Sequence, residues 1–322
     1  MIQPLVSVII PNYNHSAYLR QRIDSVLAQD YSNFEVIILD DSSTDNSCDI
    51  IREYENRDHI AQLVFNDKNT GSTFLQWNRG FSRAKGKYIW IAESDDVADP
   101  ALLSTLVLQL EQYPDSSVAY CHSRLIDADG NLLSEHNKDN PAHLGKVSVY
   151  KSKRFLQWLL IFNYIYNASM AVFRREALAS VNEDYMKYRY CGDWHFWASI
   201  CARGRVIEVH DMLNSFRQHP NKVTEQSKNN TAIRWQHELA TISYISSLCH
   251  LNGLQRVCLR GRLVKRLRKA DMSQLDKERL RLKFGTLCQG GFGSIVCYEV
   301  GKNLFGFLRH QENMKFLSQF FK

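Results

Sequence analysis

The amino-acid sequence predicts an α/β fold: a mostly parallel sheet flanked by helices, with a helical extension at its C-terminal end. Short apolar runs alternate with amphipathic segments through residues 1–123. Those runs stay apolar along their length, the pattern of strands buried on both faces beneath helices. Beyond about residue 225, strand-like runs give way to helical spacing.

Each element follows in order. Val6–Ile10 is the first strand, closed by Pro11-Asn-Tyr-Asn14. Ser16 suits the cap of a helix reaching Ala28, with Leu19, Ile23, Val26 and Leu27 on one face. Phe34–Leu39 is the second strand and Asp40-Asp-Ser-Ser-Thr-Asp45 its exit; Asp45 reads as the cap of a helix running to about Asn56. Ala61–Phe65 is a third strand, and a loop containing Gly71 leads into a helix ending near Ala84. Lys85-Gly86-Lys87 breaks the chain before a fourth strand, Tyr88–Ala92. A helix from Pro100 to Tyr113 precedes strand Val118–Ser123. Strands and helices in strict alternation imply right-handed crossovers and a ligand crevice at the carboxyl ends of the strands.

After Ser123 the alternation breaks. Asp127-Ala-Asp-Gly-Asn131 reads as the turn of a hairpin, and Val206–Val209 as a further strand. Phe155–Phe173 is uncharged and near the minimum length for a membrane span, but it contains Gln157, Asn163, Asn167 and Ser169. It therefore reads as a buried helix, a polar turn and a core strand. The expected organisation is one domain over 1–225, with halves 1–123 and 124–225, and a basic helical extension over 226–322.

Composition is that of an ordinary globular chain, with 44% hydrophobic and 23% charged residues. The net charge of +6 is unevenly spread: residues 251–322 hold 15 Lys and Arg against 5 Asp and Glu, whereas residues 1–250 hold 25 against 29. Gln255–Lys269 sets Leu259, Leu263 and Leu267 along one face among basic residues, interrupted by Gly261. This tail reads either as a solvated helical face or as a surface for an anionic partner such as lipid. Eight cysteines show no metal-binding spacing, and no signal peptide precedes the first strand. Reduced thiols and a cytoplasmic location follow as expectations.

The polar residues at the strand ends carry the chemistry. Pro11–Asn14, Asp40–Asp41 and Glu93-Ser-Asp-Asp96 close strands one, two and four, so they share one rim. Three acids in four positions repel one another unless a cation or a solvated mouth relieves them. Hard divalent cations take such oxygens, often beside substrate phosphates. The same acids also suit a loop before the helix at Asp99-Pro100. There is no GxGxxG after strand one, no P-loop and no nucleophile elbow. A calcium-loop reading of residues 41–52 fails, with Asn46 where Gly is needed and Arg52 where Glu should chelate. What remains is a nucleotide held by its base at strands one and two, and by its diphosphate through a metal at strand four.

Val6-Ser-Val-Ile-Ile-Pro-Asn-Tyr-Asn14, Asp40-Asp-Ser-Ser-Thr-Asp-Asn-Ser47, Glu93-Ser-Asp-Asp96 and Cys191-Gly-Asp-Trp-His-Phe-Trp197, in this order, resemble family 2 glycosyltransferases of the Rossmann-like GT-A fold over roughly residues 5–220. The resemblance implies that Pro11 and Tyr13 line a nucleoside pocket, that Asp40 accepts a hydrogen bond from the base, and that Asp95 contacts the nucleotide. It implies that Asp95 and Asp96 hold Mg2+ or Mn2+, with His219 as a further ligand and Arg217 near the diphosphate. Glu93 stands where the family usually has Asp. Asp193 aligns with the family's catalytic aspartate, and Trp194 beside it reads as an acceptor-stacking ring or a core residue. Away from the family pattern, Asp193 would read as a helix N-cap.

The implied activity is inverting, metal-dependent transfer of a sugar from a nucleotide-sugar donor, expected to be UDP-linked, to a saccharide or lipid-linked acceptor. The setting would be surface-polysaccharide assembly at the inner face of the membrane, with no nucleic-acid partner. Two rivals stay open at this point. A sugar-phosphate nucleotidyltransferase would need a Gly-rich basic loop after strand one, which Pro11–Asn14 is not. A non-catalytic scaffold of the same fold would not need the intact acids.

Overall fold

The computed structural model of the chain describes residues 3–135, 144–219, 231–288 and 290–304. The end of the expected extension (305–322) and its expected start near 225 lie outside the described residues. The chain divides into two compact units: residues 1–151, 165–186 and 199–219 form the first, and residues 152–164, 187–198 and 220–322 the second. Segments 152–164 and 187–198, expected in the first domain, thus cluster with the C-terminal helices.

The first unit is built on one sheet. Its strands are β1 (Val6–Asn12), β2 (Phe34–Asp40), β3 (Ile60–Phe65), β4 (Tyr88–Ile91), β5 (Val97–Ala98), β6 (Ser116–Ile126), β7 (Leu132–Glu135), β8 (Val147–Tyr150), β9 (Ala171–Arg174) and β10 (Arg205–Arg217). The order is β3-β2-β1-β4-β9-β6-β10-β5, with β7 against β6 and β8 against β10. Strands β1 to β4 pair in parallel, as their apolar runs predict, and Val8, Ile9, Ile37, Ile38 and Trp90 are fully buried. Gly86 fits where these strands begin, because a Cβ there would lie 2.6 Å from the Ser7 amide nitrogen and 2.8 Å from the Leu5 carbonyl oxygen.

The sheet departs from the simple alternation at β9. This strand enters between β4 and β6 and runs antiparallel to both. The sequence locates the strand; four apolar residues do not disclose their neighbours. The insertion matters for the site, because the turn before β9 carries Asn167 and Ser169 against the acids that follow β4. Strand β10 is also longer than Val206–Val209. It runs parallel to β6 as far as Arg217↔Ile126 and delivers Arg217 and His219 to the same rim.

Helices α1 (Ser16–Leu27), α2 (Ser47–Arg52), α3 (Thr73–Phe81) and α4 (Leu102–Gln112) supply the crossovers. Leu19, Ile23 and Val26 of α1 are buried as predicted. Ser16 is helical and not a cap; its N–H donates to Asp45 Oδ2 at 2.9 Å, and Asp45 Oδ1 accepts the Ser47 N–H at 2.9 Å. One carboxylate thus serves two helix starts, where exposed N–H groups favour an anion. Helix α4 begins two residues later than Pro100, because β5 draws the preceding segment toward β10.

The second unit is helical: α5 (Ser152–Leu159), the start of α6 (Gly192–Cys201), α7 (Thr231–Cys249), α8 (Gly253–Lys269), α9 (Gln274–Lys283) and α10 (Phe292–Leu304). Asn252 and Gln255 form a capping box that starts α8. Leu259, Leu263 and Leu267 are buried, and Arg262 is buried beside them, donating to the Ile161 carbonyl at 3.1 Å. The apolar face of Gln255–Lys269 is therefore spent inside this unit and not offered to lipid, a correction to the amphipathic reading. Gly261 is the reason the helices fit: a Cβ there would lie 1.8 Å from the Ser294 carbonyl oxygen of α10. Residues 155–173 divide into helix, irregular turn and strand, and no helix of the described residues is long and apolar enough to cross a membrane. All eight cysteines are free thiols.

Candidate active site

The rim of the first unit begins where β1 and β2 end. Pro11 lies inside β1, in register with Leu39. Its missing N–H falls on the β4 side, beyond the last β1–β4 pair at Ile9↔Ile91, so the ladder loses no bond there. Tyr13 follows the strand and is 44% exposed, free to present its ring to a ligand. Asn14 and Ser42 both have positive φ, at 55° and 61°. Such backbone is costly for residues other than glycine and collects at functional loops. The Asn14 side chain joins the two loops by accepting the Thr44 N–H at 2.7 Å.

Asp40 does not stand open to a base. Its Oδ1 accepts from Asn12 Nδ2 at 2.8 Å and Ser43 Oγ at 2.6 Å, and its Oδ2 from the Ser43 N–H at 2.8 Å and the Cys48 thiol at 3.3 Å. A carboxylate has about four acceptor positions, and all are spent on holding the β2 turn to β1. The expected base contact by Asp40 would have to replace one of these donors. Its neighbour Asp41 gathers Asn66, Thr70 and Gln76 in the same way.

The three acids after β4 separate into three environments. Burial, with the Asp95 charge adding to it, pushes the Glu93 carboxyl up to about 8, and Oε1 accepts from Trp77 Nε1 at 2.8 Å. Asp96 is fully buried. Its Oδ1 accepts the Arg217 N–H at 3.0 Å, and its Oδ2 accepts from Asn167 Nδ2 and Ser169 Oγ, both at 2.7 Å. Arg22, also fully buried, lies 3.9 Å from the same oxygen and donates through Nε to the Glu93 carbonyl at 2.8 Å. These partners hold Asp96 inward, so the expected metal contact by Asp96 would have to displace one of them.

Asp95 alone of the three faces ligand-type groups. Its Oδ2 lies 3.0 Å from His219 Nε2. His15, at the start of α1, completes a group with Asp95 and His219 whose ligand atoms all lie within 4.8 Å of one another. The His15 Nδ1 sits 2.8 Å from Ser94 Oγ, which helps fix the ring. His15 was not singled out from the sequence, although it directly follows the rim segment Pro11–Asn14. One carboxylate and two imidazoles make a donor set that fits a divalent cation, better Mn2+ than the strictly oxygen-seeking Mg2+.

Arg217 braces the rim from within. It is 1% exposed; Nε donates to the Asp95 carbonyl at 2.8 Å, Nη1 to the carbonyls of Asp127 and Ala128 at 3.1 and 2.9 Å, and Nη2 to Gln21 at 2.5 Å. Four of its five N–H groups are thus committed. Sequence alone marks an arginine as a surface or anion-binding residue and does not disclose its burial.

Asp193 belongs to the second unit, in the first turn of α6. The backbone turns into that helix at Cys191, with φ of 62°, and not at Gly192, which is helical. Asn163 donates to Asp193 Oδ2 at 2.9 Å. Burial raises the carboxyl to about 6, against the opposing pull of helix-start N–H groups and Asn163. Trp194 is 8% exposed, so most of its ring is core and little is left for stacking on an acceptor.

A largely parallel sheet with polar side chains gathered on its carboxyl rim is the arrangement in which α/β folds bind ligands. The chain belongs to glycosyl transferase family 2, whose profile matches residues 7–181. Asp193, Arg217 and His219 lie beyond the matched stretch. An uncharacterized glycosyltransferase of Nostoc sp. is 30% identical over 223 residues, which cover 66% of this chain and 65% of that relative, less than two thirds of its length. In fold the chain is similar to the mannosyltransferase PcManGT from Pyrobaculum calidifontis, solved with GDP-Man and Mn2+, at a TM-score of 0.56 and 18% identity over 95% of this chain and 88% of that one. It is also similar to S. aureus TarS 1-349 in complex with UDP-GlcNAc, at a TM-score of 0.54 and 16% identity over 87% and 71% of the two chains.

Proposed function

We propose that the protein transfers a sugar, with inversion, from a nucleotide-sugar donor to a hydroxyl of a saccharide or lipid-linked acceptor in surface-polysaccharide assembly. The observation that carries the reading is Asp193: a half-buried carboxyl, oriented by Asn163, that changes charge at about pH 6. Inversion needs an acceptor hydroxyl stripped of its proton as its oxygen attacks the anomeric carbon. In this scheme Asp193 accepts that proton, and the electron pair of the breaking C–O bond leaves with the nucleoside diphosphate. Asp95, His219 and His15 would hold the cation. When bound, the ion supplies Lewis-acid stabilisation of the departing diphosphate. Tyr13 is the residue offered to the base.

The family resemblance favours a UDP-linked donor, and the two structural neighbours were solved with a UDP- and a GDP-sugar. A thermal-shift panel of UDP- and GDP-sugars tests the donor side. One member of the panel with Mn2+ should stabilise the protein, by about 2.7 kcal/mol at a hundred times its Kd. Asp95→Asn should abolish the Mn2+-dependent part. No shift with any nucleotide sugar, or an undiminished shift in the variant, would overturn the donor assignment.

The anionic inner face of the membrane is a further proposed partner. The buried leucines of α8 leave the outward basic residues Arg268, Lys269, Arg279 and Lys283 to meet it, each worth about 1 kcal/mol near such a surface. Reversing these four charges should weaken binding to phosphatidylserine vesicles. Equal retention of wild type and variant would count against the contact.

A further inference from the structure

A second set of ligand-type side chains lies in the first unit, toward the start of β10 and apart from Asp95. We infer that His122 of β6 with Glu208 and His210 of β10 form a zinc-type metal site that clamps these two strands. The ligand atoms of the three residues all lie within 4.8 Å of one another. His122 Nε2 is 2.9 Å from Glu208 Oε1, and His210 Nε2 is 3.9 Å from Glu208 Oε2. Two ligands at a tetrahedral angle on zinc, with bonds of ~2.0–2.1 Å, stand roughly 3.3 Å apart, a spacing that the two distances bracket. The longer separation exceeds a hydrogen bond, so Glu208 does not close a direct triad with both rings.

The backbone is built to bring the groups together. Alternate residues of a strand face one side, which places Glu208 and His210 together. Tyr120 pairs with Glu208 and His122 with Met212, so β10 spends four residues where β6 spends two. Bulges of this kind re-aim side chains. Strand β8 supplies the outer partner of the carboxylate, Tyr150, which donates to Glu208 Oε2 at 2.7 Å, whereas Ser148 Oγ, 2.9 Å from His210 Nε2, stands at the ligating nitrogen itself. Such contacts orient ligating groups and typically carry 10–100-fold in affinity. The side chains of His122, Glu208 and His210 are 10%, 15% and 11% exposed, enclosed yet reachable by an ion. Two imidazoles and one carboxylate suit zinc or cobalt and not calcium or magnesium.

The site is independent of the donor reading, and its test is independent too. The full-length protein, freed of metal by chelation and dialysis, is titrated with Co2+ alone, followed by Zn2+. Visible ligand-field absorption from a bound Co2+, displaced by Zn2+, is expected, and a Co2+ signal should persist in Asp95→Asn, where the rim site has lost its carboxylate. In the Asp95→Asn background, Tyr150→Phe should weaken Co2+ binding by about 10–100-fold, and Glu208→Gln with His210→Gln should abolish it. Tyr150→Phe keeps the ring, so it tests the site even if the double variant fails to fold. The inference falls if Co2+ produces no absorption, if the signal disappears with Asp95→Asn, or if adding Tyr150→Phe leaves binding as tight as in Asp95→Asn alone.

Discussion

Replacing Asp193 by Asn is expected to lower kcat by about 10²–10⁴-fold while leaving donor affinity unchanged. The amide keeps the shape of the carboxylate and can still accept the Asn163 hydrogen bond, but it cannot take a proton from an acceptor. The pH profile supplies a second reading of the same group. Burial holds the Asp193 carboxyl at about 6, and the base works only when ionised. Wild-type kcat/KM should therefore rise with pH, reach half its plateau near 6, and lose that limb in the variant. Stability should move the other way. A carboxyl whose pKa is raised by folding favours the fold while protonated, below its unfolded pKa, and that benefit is lost as pH rises through about 6. Near pH 8 the Asn variant should melt at the same temperature as wild type or higher, which separates lost chemistry from lost structure. A variant that turns over at the wild-type rate would remove Asp193 from the mechanism.

Much of this site was legible in the sequence because a parallel sheet leaves few choices. Once apolar strands alternate with helices, their carboxyl ends share a rim, so Tyr13, Asp41 and Asp95 could be placed there before any coordinates. What the sequence does not disclose is which lone pairs and N–H groups are already spent. Asp40 and Asp96 have the right type and position for ligands, yet Asn12, Ser43 and Cys48 fill the first, and Asn167, Ser169 and the Arg217 backbone fill the second. These partners lie up to 121 residues away in the chain, and no local pattern announces them. The antiparallel entry of β9 is hidden for a related reason, since a four-residue apolar run satisfies either strand direction.

Asp96→Ala is expected to destabilise the first unit by about 3–5 kcal/mol, the cost of breaking a buried charged pair. Arg22 would remain fully buried, 3.9 Å from where its counter-charge had been. Desolvation already lowers the pKa of its guanidinium, and Asp96 is the first of the carboxylates that oppose that fall. The Asn167 amide, the Ser169 hydroxyl and the Arg217 N–H would each lose an acceptor. On a unit of this size such a loss corresponds to a fall in Tm of roughly 6–20 °C. Asp95→Asn should behave in the opposite sense: Asp95 keeps 13% side-chain exposure and meets His219 at the rim, so the variant should fold normally and lose only its Mn2+-dependent response. The contrast tests the division of labour between two adjacent aspartates. Were Asp96→Ala to melt like wild type while losing its response to Mn2+, Asp96 would be the ligand after all, and the brace formed by Arg22, Asn167 and Ser169 would not be what holds the rim.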